Sequence, residues 1–376
     1  MKRVLFSLNH PAHYHMFKNL ALQLGHEGNP VIFVISNKDV LEALMKNEGV
    51  DYVKLQDQRP RKSTALSVIT NGVADMLDKD RSLYRYVKQW KPDIMLGTDI
   101  SITHVGRFTG IPSFFFNEDD YEINKAACIL SYPFATGIIS PEVCSVGKRF
   151  EKKKISYRGC QKMAYINPIS FKPDRSIAEK FVAKDKPYYL IRVVSLTAGH
   201  DISGKHRGLE DDILKQLISL LSEHGNVYIT SERPLSEAYE QYRLQIPPEY
   251  MHQVMSFSSL FIGDSQSMCM ESGLMGVPFI RFNDFVGKIG YLNDAENEYG
   301  LGYGIRTSEP EKLLEVTRML IKEKDLNSQW KKKQERFFSE KVDVTAFWKW
   351  FVLNYPESKS VLKENPDYPN RFRYSL

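Results

Sequence analysis

Short, continuous apolar runs alternate with longer amphipathic stretches along most of this chain, and this alternation is what most constrains its fold. The runs at 4–8, 31–35, 93–96 and 113–116 are apolar on both faces, and each is separated from the next by a stretch with helical spacing. Strands that are buried on both faces belong to parallel sheets covered by helices on both sides. The pattern therefore predicts the α/β class.

The alternation breaks once and then restarts, which indicates two domains. Segment 166–174 carries two prolines and no helical period, and apolar runs resume at 188–194, 227–229, 261–262 and 279–280. A chain of 376 residues also suits two domains better than one. We predict two doubly wound, Rossmann-like domains facing an interdomain cleft, with boundaries at 1–160, a linker at 161–174, a second domain at 175–340 and a C-terminal helix and tail at 341–376.

Composition excludes several classes of protein. The net charge of +5 and the pI near 8.7 are too mild for a dedicated nucleic-acid binder. No apolar window is long enough to span a membrane, and the four cysteines lack metal-type spacing, so we expect a cytoplasmic protein with reduced thiols. The basic run 148–154 and the aromatic stretch 344–351 are expected at the domain surface; peripheral membrane contact is the alternative for each.

The segment Gly263-Asp264-Ser265-Gln266-Ser267 follows a predicted strand and leads into a predicted helix. A helix start with free N–H groups and a positive dipole end attracts phosphate, which predicts an anion site at Ser265, Gln266 and Ser267. Glu271 follows one helical turn later, where its carboxylate could accept both hydroxyls of a ribose. The alternative is an ordinary N-capped helix with a solvated Glu271.

The first predicted strand is followed by three histidines in Asn9-His10-Pro11-Ala12-His13-Tyr14-His15. Histidines at such a position could be zinc ligands, catalytic bases or phosphate contacts. No cysteine or acidic residue joins them at a recognisable zinc spacing, so no metal site is predicted. His10 and His13 are the candidates to face a ligand, whereas His15 is equally suited to a structural role.

Acidic residues follow two further strands of the first half. Asp99 comes after 94–98, and Glu118 and Glu122 lie in the segment after 113–116. Clustered carboxylates repel one another, which raises a pKa toward neutrality and suits proton transfer. For Asp99, which precedes Ser101, a helix N-cap is the alternative role.

Charged groups also lie on predicted strands of the second half. Arg192 is placed within an apolar strand, where its charge requires either a partner or an anionic ligand. Ser231, Glu232 and Arg233 end the next strand and could hold a base or a phosphate. No GxxxxGK[ST] or strand-linked GxGxxG is present, which disfavours kinase-like and dinucleotide-binding proteins.

Taken together, the motifs resemble the DUF354 family, which is grouped with the GT-B glycosyltransferases and the non-hydrolysing UDP-N-acetylglucosamine 2-epimerases. The resemblance covers nearly the whole chain and is carried by segments NHPAHYHMFKNL (9–20), YPFATGIISP (132–141), RGCQKMAYINPISFKPD (158–174), RVVSLTAGHDI (192–202), ITSERPL (229–235) and GDSQSMCMESGLMGVPFIRFNDFVGK (263–288).

The resemblance implies a GT-B fold whose second domain holds the diphosphate near Ser265, Gln266 and Ser267 and the ribose on Glu271. By similarity with the epimerases it also implies catalytic roles, assigned to Asp99, Glu118, Glu122 and His200. The chain departs from the epimerases in its histidine-rich first loop, in Gln266 and Ser267 where they have two glycines, and in lacking their HRREN run.

We therefore expect a glycosyltransferase that uses a nucleoside diphosphate sugar, by preference UDP-linked, without a separate cofactor or metal. The expected acceptor is a carbohydrate or a lipid-linked carbohydrate in surface polysaccharide or glycolipid biosynthesis. A UDP-N-acetylglucosamine 2-epimerase-like epimerase or hydrolase is the first alternative, and a non-catalytic nucleotide-sugar sensor is the second.

Overall fold

The computed structural model describes residues 1–36, 39–56, 65–195 and 208–375, and the chain divides into two compact units. Unit 1 combines Met1–Tyr165 with Val342–Arg373, and unit 2 combines Ile166–Lys341 with Tyr374–Leu376. The division at 165/166 falls within the segment predicted as a linker. The C-terminal segment, predicted as a separate helix and tail, returns to the first unit.

The described residues contain twelve strands, and every pairing within a sheet is parallel. In chain order they are β1 (Val4–Leu8), β2 (Val31–Ser36), β3 (Tyr52–Gln56), β4 (Ile94–Gly97), β5 (Ser113–Phe116), β6 (Gly137–Pro141), β7 (Lys154–Tyr157), β8 (Tyr188–Val193), β9 (Asn226–Ser231), β10 (Leu260–Gly263), β11 (Phe279–Phe282) and β12 (Gly302–Ile305).

The sheet of unit 1 is doubly wound around β1. Its order in the described residues is β3-β2-β1-β4-β5-β6-β7. Val4 of β1 pairs with Val31 on one side and with Ile94 on the other, so the chain winds outward to β3 and then returns to the opposite side of β1. The direction of winding reverses between β1 and β4, and ligands of such sheets bind outside the carboxyl ends of the strands at this point.

The sheet of unit 2 has the order β12-β11-β10-β8-β9 within the described residues. Its direction of winding reverses between β8 and β10, where Arg192 pairs in register with Gly263. A side chain on Gly263 would place its Cβ 3.0 Å from that of Arg192, so glycine lets the two strand ends approach closely. Both units therefore confirm the predicted doubly wound parallel sheets.

The described residues form fifteen α-helices. In chain order they are α1 (Pro11–His26), α2 (Asp39–Asn47), α3 (Ala65–Trp90), α4 (Ile100–Thr109), α5 (Lys125–Ser131), α6 (Arg175–Ala178), α7 (Asp211–Ser222), α8 (Glu237–Glu240), α9 (Met251–Met255), α10 (Gln266–Leu274), α11 (Gly290–Asn293), α12 (Pro310–Lys322), α13 (Leu326–Glu340), α14 (Val344–Leu353) and α15 (Glu357–Glu364).

The aromatic C-terminal helix α14 packs into the core of unit 1. Trp348 is fully buried, and its ring contacts Phe116 at 5.0 Å and Tyr157 at 5.6 Å between centroids. Phe347 and Phe351 on the same helix are also buried. The helix is packed against the protein, as predicted, but these three aromatic side chains lie in the core of unit 1 and not at the domain surface.

The sequence did not reveal two edge strands, β7 and β12. Lys154 and Ser156 alternate with buried residues in β7, so its apolar signal is half that of a central strand. Gly302 and Gly304 in β12 resemble a turn, but a Cβ on Gly302 would lie 2.4 Å from the ring of Phe279. The glycines of β12 are thus required by close packing in the sheet.

No helix in the described part of the chain combines the length and the apolarity needed to cross a membrane. All four cysteines are free and buried.

Candidate functional site

Helix α10 of unit 2 begins directly after β10, at the point where the sheet reverses its winding. Ser265 is the N-cap residue, and its hydroxyl accepts a hydrogen bond from the backbone N–H of Met268 at 3.3 Å. Gln266 and Ser267 form the first turn and are partly exposed. The first N–H groups of a helix lack intrahelical partners, and they lie at the positive end of the dipole. The N-cap alternative is therefore confirmed. It is compatible with an anion site at the same turn, which stays a prediction.

Glu271 lies in the second turn of α10 and is only 7 % exposed. The alternative of a solvated Glu271 is therefore wrong. Its Oε2 lies 3.2 Å from Nε2 of His252 on α9. The rings of His252 and Phe171 are in a T-shaped arrangement with 6.1 Å between their centroids. A buried carboxylate requires partners that hold it in one orientation. His252 was not identified from the sequence, because its short helix has no distinctive pattern.

Arg192 is the penultimate residue of β8 and pairs in register with Gly263, just before the start of α10. Its guanidinium pairs with the carboxylate of Glu232 after β9. The backbone N–H and the hydroxyl of Ser195 both lie 3.3 Å from the second oxygen of Glu232. The predicted partner of this strand arginine is thus an acid from the neighbouring strand end. Among the described residues, Nε of Arg192 is buried and has no hydrogen-bond partner.

Ser231 and Arg233 make local contacts that shape the turn after β9. The Ser231 hydroxyl donates to the carbonyl of Arg233 at 2.7 Å and accepts from its N–H at 3.2 Å. The Arg233 guanidinium donates to the carbonyl of Leu209. Their predicted contact with a base or a phosphate therefore stays a prediction, whereas their role in the turn is visible.

Asp264, which precedes the N-cap of α10, is a buried acid with a structural task. It is 3 % exposed, and its two oxygens accept hydrogen bonds from the N–H of Val194 at 2.8 Å and of Leu209 at 3.3 Å. Burial raises the pKa of this carboxyl to about 6, although the backbone hydrogen bonds act in the opposite direction. Asp264 thereby joins the two backbone segments that flank 196–207. His200, a predicted catalytic residue, lies in 196–207, outside the described residues.

Arg281 of β11 is linked to Asp264 through Asn283. Its guanidinium is fully buried and binds both oxygens of Glu296, at 2.7 and 2.9 Å, and it also donates to Asn283. Asn283 in turn donates to the backbone carbonyl of Asp264 at 3.0 Å. Since a paired arginine with a planar guanidinium is rigid, this network holds the turn between β10 and α10. Arg281 and Asn283 lie within the segment 263–288 that resembles the DUF354 family, but neither residue was assigned a role from the sequence.

In unit 1 the histidine motif also lies where the sheet reverses its winding. His10 is the N-cap of α1, and its Nδ1 accepts from the N–H of Ala12 at 3.2 Å. Nδ1 of His13 lies 2.8 Å from the hydroxyl of Thr98, which follows β4, and the two imidazole rings are 5.8 Å apart. His13 thus contacts the residue that follows β4, and His10 lies beside His13. His15 instead faces the ring of Tyr165.

The predicted acids of unit 1 lie in three different environments. Asp99 is the N-cap of α4: one oxygen accepts from the N–H of Ser101 at 3.0 Å, and the other pairs with Lys79. Glu118 is buried, pairs with the buried Lys162 and accepts from the N–H of Gln161 at 2.9 Å. The helix-cap alternative for Asp99 is thus confirmed, and both buried acids are paired with lysines.

Glu122, the third predicted acid, is exposed. It lies between β5 and α5, in the segment that continues from Glu118. Its role in proton transfer stays a prediction.

The two doubly wound parallel sheets, together with the similarity to solved GT-B glycosyltransferases, place the chain in the GT-B fold class. The chain is similar to the structure of "Spinosyn Forosaminyltransferase SpnP", with a TM-score of 0.60 and 15 % identity over 89 % of this chain and 94 % of that one. By sequence, the chain belongs to the DUF354 family, described as proteins of unknown function, whose profile matches residues 3–299. No curated protein matches the sequence.

Two structures described as bound to UDP or to UDP-GlcNAc also share the fold. The "S. aureus MnaA-UDP co-structure" has a TM-score of 0.60 and 14 % identity over 88 % of this chain and 91 % of that chain. UDP-GlcNAc 2-epimerase from Neisseria meningitidis, bound to UDP-GlcNAc, has a TM-score of 0.55 and 14 % identity over 87 % of this chain and 94 % of that chain.

Proposed function

We propose that this chain is a glycosyltransferase that takes its donor sugar from a nucleoside diphosphate, by preference UDP. Its acceptor is a carbohydrate or a lipid-linked carbohydrate of surface polysaccharide or glycolipid assembly. The observation that carries the proposal is the arrangement at the winding reversal of unit 2. There the start of α10 supplies N–H groups, Arg192 lies near the carboxyl end of the adjacent strand, and Glu271 lies buried one turn into the helix.

The diphosphate of the donor binds at Ser265, Gln266 and Ser267, because the start of α10 presents N–H donors and a positive dipole end to an anion. Arg192 adds a cation whose orientation is set by Glu232. When the bond between the sugar and the diphosphate breaks, negative charge accumulates on the leaving phosphate. Groups already oriented toward that charge stabilise it without reorganisation.

The ribose binds through its two hydroxyls to the carboxylate of Glu271, which has two acceptor oxygens. His252 holds that carboxylate at 3.2 Å, so its oxygens are oriented before the nucleotide arrives. Support for this assignment comes from burial: a mostly buried acid near an anion site is costly unless it serves a ligand or a fixed partner.

In unit 1, His13 is the proposed base that removes the proton from the acceptor hydroxyl. Imidazole is the side chain whose ordinary pKa best suits this task near neutral pH. The hydroxyl of Thr98, 2.8 Å from Nδ1, orients the ring. His10 is the second candidate, since its ring lies 5.8 Å away. Asp99 and Glu118 act in this proposal as positioning residues, because their oxygens already bind Ser101, Lys79, Gln161 and Lys162.

Calorimetric titration of the full chain with UDP tests the donor site. Replacing Glu271 by Ala removes both hydrogen bonds that the ribose hydroxyls make to a charged acceptor. Since each is worth about 1.5–3 kcal/mol, affinity for UDP should fall by roughly 100-fold or more. Glu315→Ala, an exposed acid on α12, is the matched control and should bind like the parent. Equal affinity of the Glu271 variant and the parent would refute the ribose assignment.

An epimerase is the second candidate, because a solved structure with this fold is named UDP-GlcNAc 2-epimerase and is bound to UDP-GlcNAc. Incubation with UDP-N-acetylglucosamine in deuterated water separates the candidates. An epimerase exchanges solvent deuterium into C2 of the sugar without an acceptor, whereas the proposed transferase leaves that carbon unlabelled. Under the same conditions, His13→Gln should retain UDP binding, because the donor site lies in unit 2.

A further inference from the structure

Unit 1 exposes a group of large apolar side chains at the far ends of α4 and α5. Phe108, in the last turn of α4, is 86 % exposed, which is unusual for an aromatic residue on a regular helix. Leu130 at the end of α5 and Phe134 in the following loop are each 42 % exposed. Single exposed apolar residues are common, so the question is whether these three are contiguous.

His104 joins α4 to the segment that carries Leu130 and Phe134. Its ring contacts that of Phe134 edge-on at 4.9 Å, and its Nε2 lies 2.9 Å from the carbonyl of Leu130. Phe108 follows His104 by four residues on α4 and therefore lies on the same face of that helix. The other ring nitrogen of His104 binds Asp80 at 2.8 Å. Through His104, the three apolar side chains are thus placed in one region of the surface, which is here called the apolar patch.

Cations surround this patch. The ammonium group of Lys153 binds the carbonyls of Tyr132, Pro133 and Ala135 at 2.8–2.9 Å, which fixes the loop that carries Phe134. Burial lowers the pKa of Lys153, and the nearby positive charges of Lys359 and Arg107 lower it further. Lys359 donates to the carbonyl of Thr136 at 3.3 Å, two residues after Phe134, and Arg107 directly precedes Phe108. Three cations therefore lie beside the apolar side chains.

A short basic helix extends this positive region. Lys153 ends the 3-10 helix Lys148–Lys153, in which Lys148, Arg149 and Lys152 are exposed. Glu151 is the acid within it, so cations outnumber acids in this helix. Phe150 of the same helix packs against Tyr132 at 5.3 Å, which places the basic helix next to the loop of Phe134.

We infer that this region, here called the Phe108 surface and formed by Phe108, Leu130, Phe134, Arg107, Lys153 and Lys359, docks on an anionic lipid bilayer. Exposed aromatic and aliphatic tips enter the boundary between headgroups and acyl chains, and the surrounding cations attract anionic headgroups. Helix α4 starts at the carboxyl end of β4 and runs back along the sheet, so its last turn lies at the opposite edge from the histidine motif. Docking therefore leaves the carboxyl edge of this sheet accessible.

Co-sedimentation of the full chain with vesicles tests the inference. Vesicles of phosphatidylcholine with phosphatidylglycerol should bind the protein, those of phosphatidylcholine alone should bind it much less, and added salt should weaken binding. The double variant Phe108→Ser with Lys359→Glu should bind at least about tenfold more weakly, because one basic residue near an anionic membrane contributes roughly fivefold and charge reversal adds repulsion.

A matched control on unit 2 makes the same kind of change elsewhere. Met319 and Lys322 on α12 are exposed, and Met319→Ser with Lys322→Glu alters apolarity and charge equally. This control should sediment like the parent, and both variants should keep the parent's circular dichroism and UDP affinity. Equal binding to neutral and anionic vesicles, or an equal loss in both double variants, would overturn the inference. Absence of binding to anionic vesicles would overturn it as well. If the parent then self-associates and the Phe108 variant does not, the surface is instead an interface between copies of the chain.

Discussion

The buried carboxyl of Asp264 provides the sharpest quantitative prediction. Its oxygens accept the N–H groups of Val194 and Leu209, and burial raises its pKa from 3.8 to about 6. In the unfolded chain the same carboxyl ionises near its ordinary value. The folded protein therefore binds more protons than the unfolded one between about pH 4 and pH 6, so this group's contribution to stability is present at low pH and is lost as the pH rises through the folded value.

The magnitude follows from the two pKa values. At about 1.4 kcal/mol per pH unit, the difference between 3.8 and about 6 corresponds to about 3 kcal/mol lost when Asp264 is fully ionised. Asp264→Asn removes this ionisation. The amide keeps an acceptor for Val194 but sacrifices the longer bond to Leu209, which costs about 1 kcal/mol at every pH. Relative to the parent, the variant should therefore gain about 2–3 kcal/mol between pH of about 4 and 7.5.

Thermal unfolding of the full chain across that range measures the effect. For a unit of this size, the difference in Tm between variant and parent should change by roughly 5–10 °C in favour of the variant as pH rises. Asp325→Asn, at an exposed position before α13, should track the parent within about 0.5 kcal/mol at every pH. The reasoning fails if the Asp264 variant and the parent keep a constant difference in Tm, or if the parent gains stability relative to the variant as pH rises.

Three further changes test other parts of the structure. His252→Ala should weaken UDP binding about fivefold because Glu271 loses an orienting partner, whereas His252→Gln, which can donate from a similar position, should restore most of it; equal calorimetric affinities for all three proteins would contradict this role. Trp348→Ala should lower the free energy of unfolding of unit 1 by about 3–5 kcal/mol in denaturant titration, because a fully buried indole leaves a cavity; a loss under about 1 kcal/mol would be inconsistent with that packing. Gly302→Ala should destabilise unit 2 by about 1–3 kcal/mol in the same assay, since its Cβ would meet the ring of Phe279; an unchanged midpoint would show that this contact relaxes freely.

The central strands and their alternation with helices along the chain could be predicted, because each strand is apolar on both faces and is separated from the next by a helix. This signal is local, so it is read directly from residues such as Val4–Leu8. The edge strands β7 and β12 escaped detection for opposite reasons: β7 is half-polar, and β12 is rich in glycine. The lysine of β7 and the glycines of β12 can be explained only once the neighbouring strand in the sheet is known.

The candidate site divides in a similar way. The start of α10 and the histidine motif were recognisable because a helix start or a strand end is a property of consecutive residues. The partners of these groups were not recognisable. His252 meets Glu271 across 19 residues, and Lys162 meets Glu118 across 44. No periodicity links such positions, so the pairing depends on how the helices and loops pack.

By itself, the sequence determined the α/β class, the two-part organisation, the family resemblance and the residues placed at strand ends, because all of these depend on local apolar patterns and short motifs. Only the tertiary structure decided that the C-terminal helix belongs to unit 1, that Asp99 and Glu118 are paired with lysines, and that Asp264 joins the segments flanking 196–207. These features arise from burial, because a charged group or an aromatic ring that is removed from water requires a partner. Which partner is near depends on how the chain folds and cannot be read from the sequence.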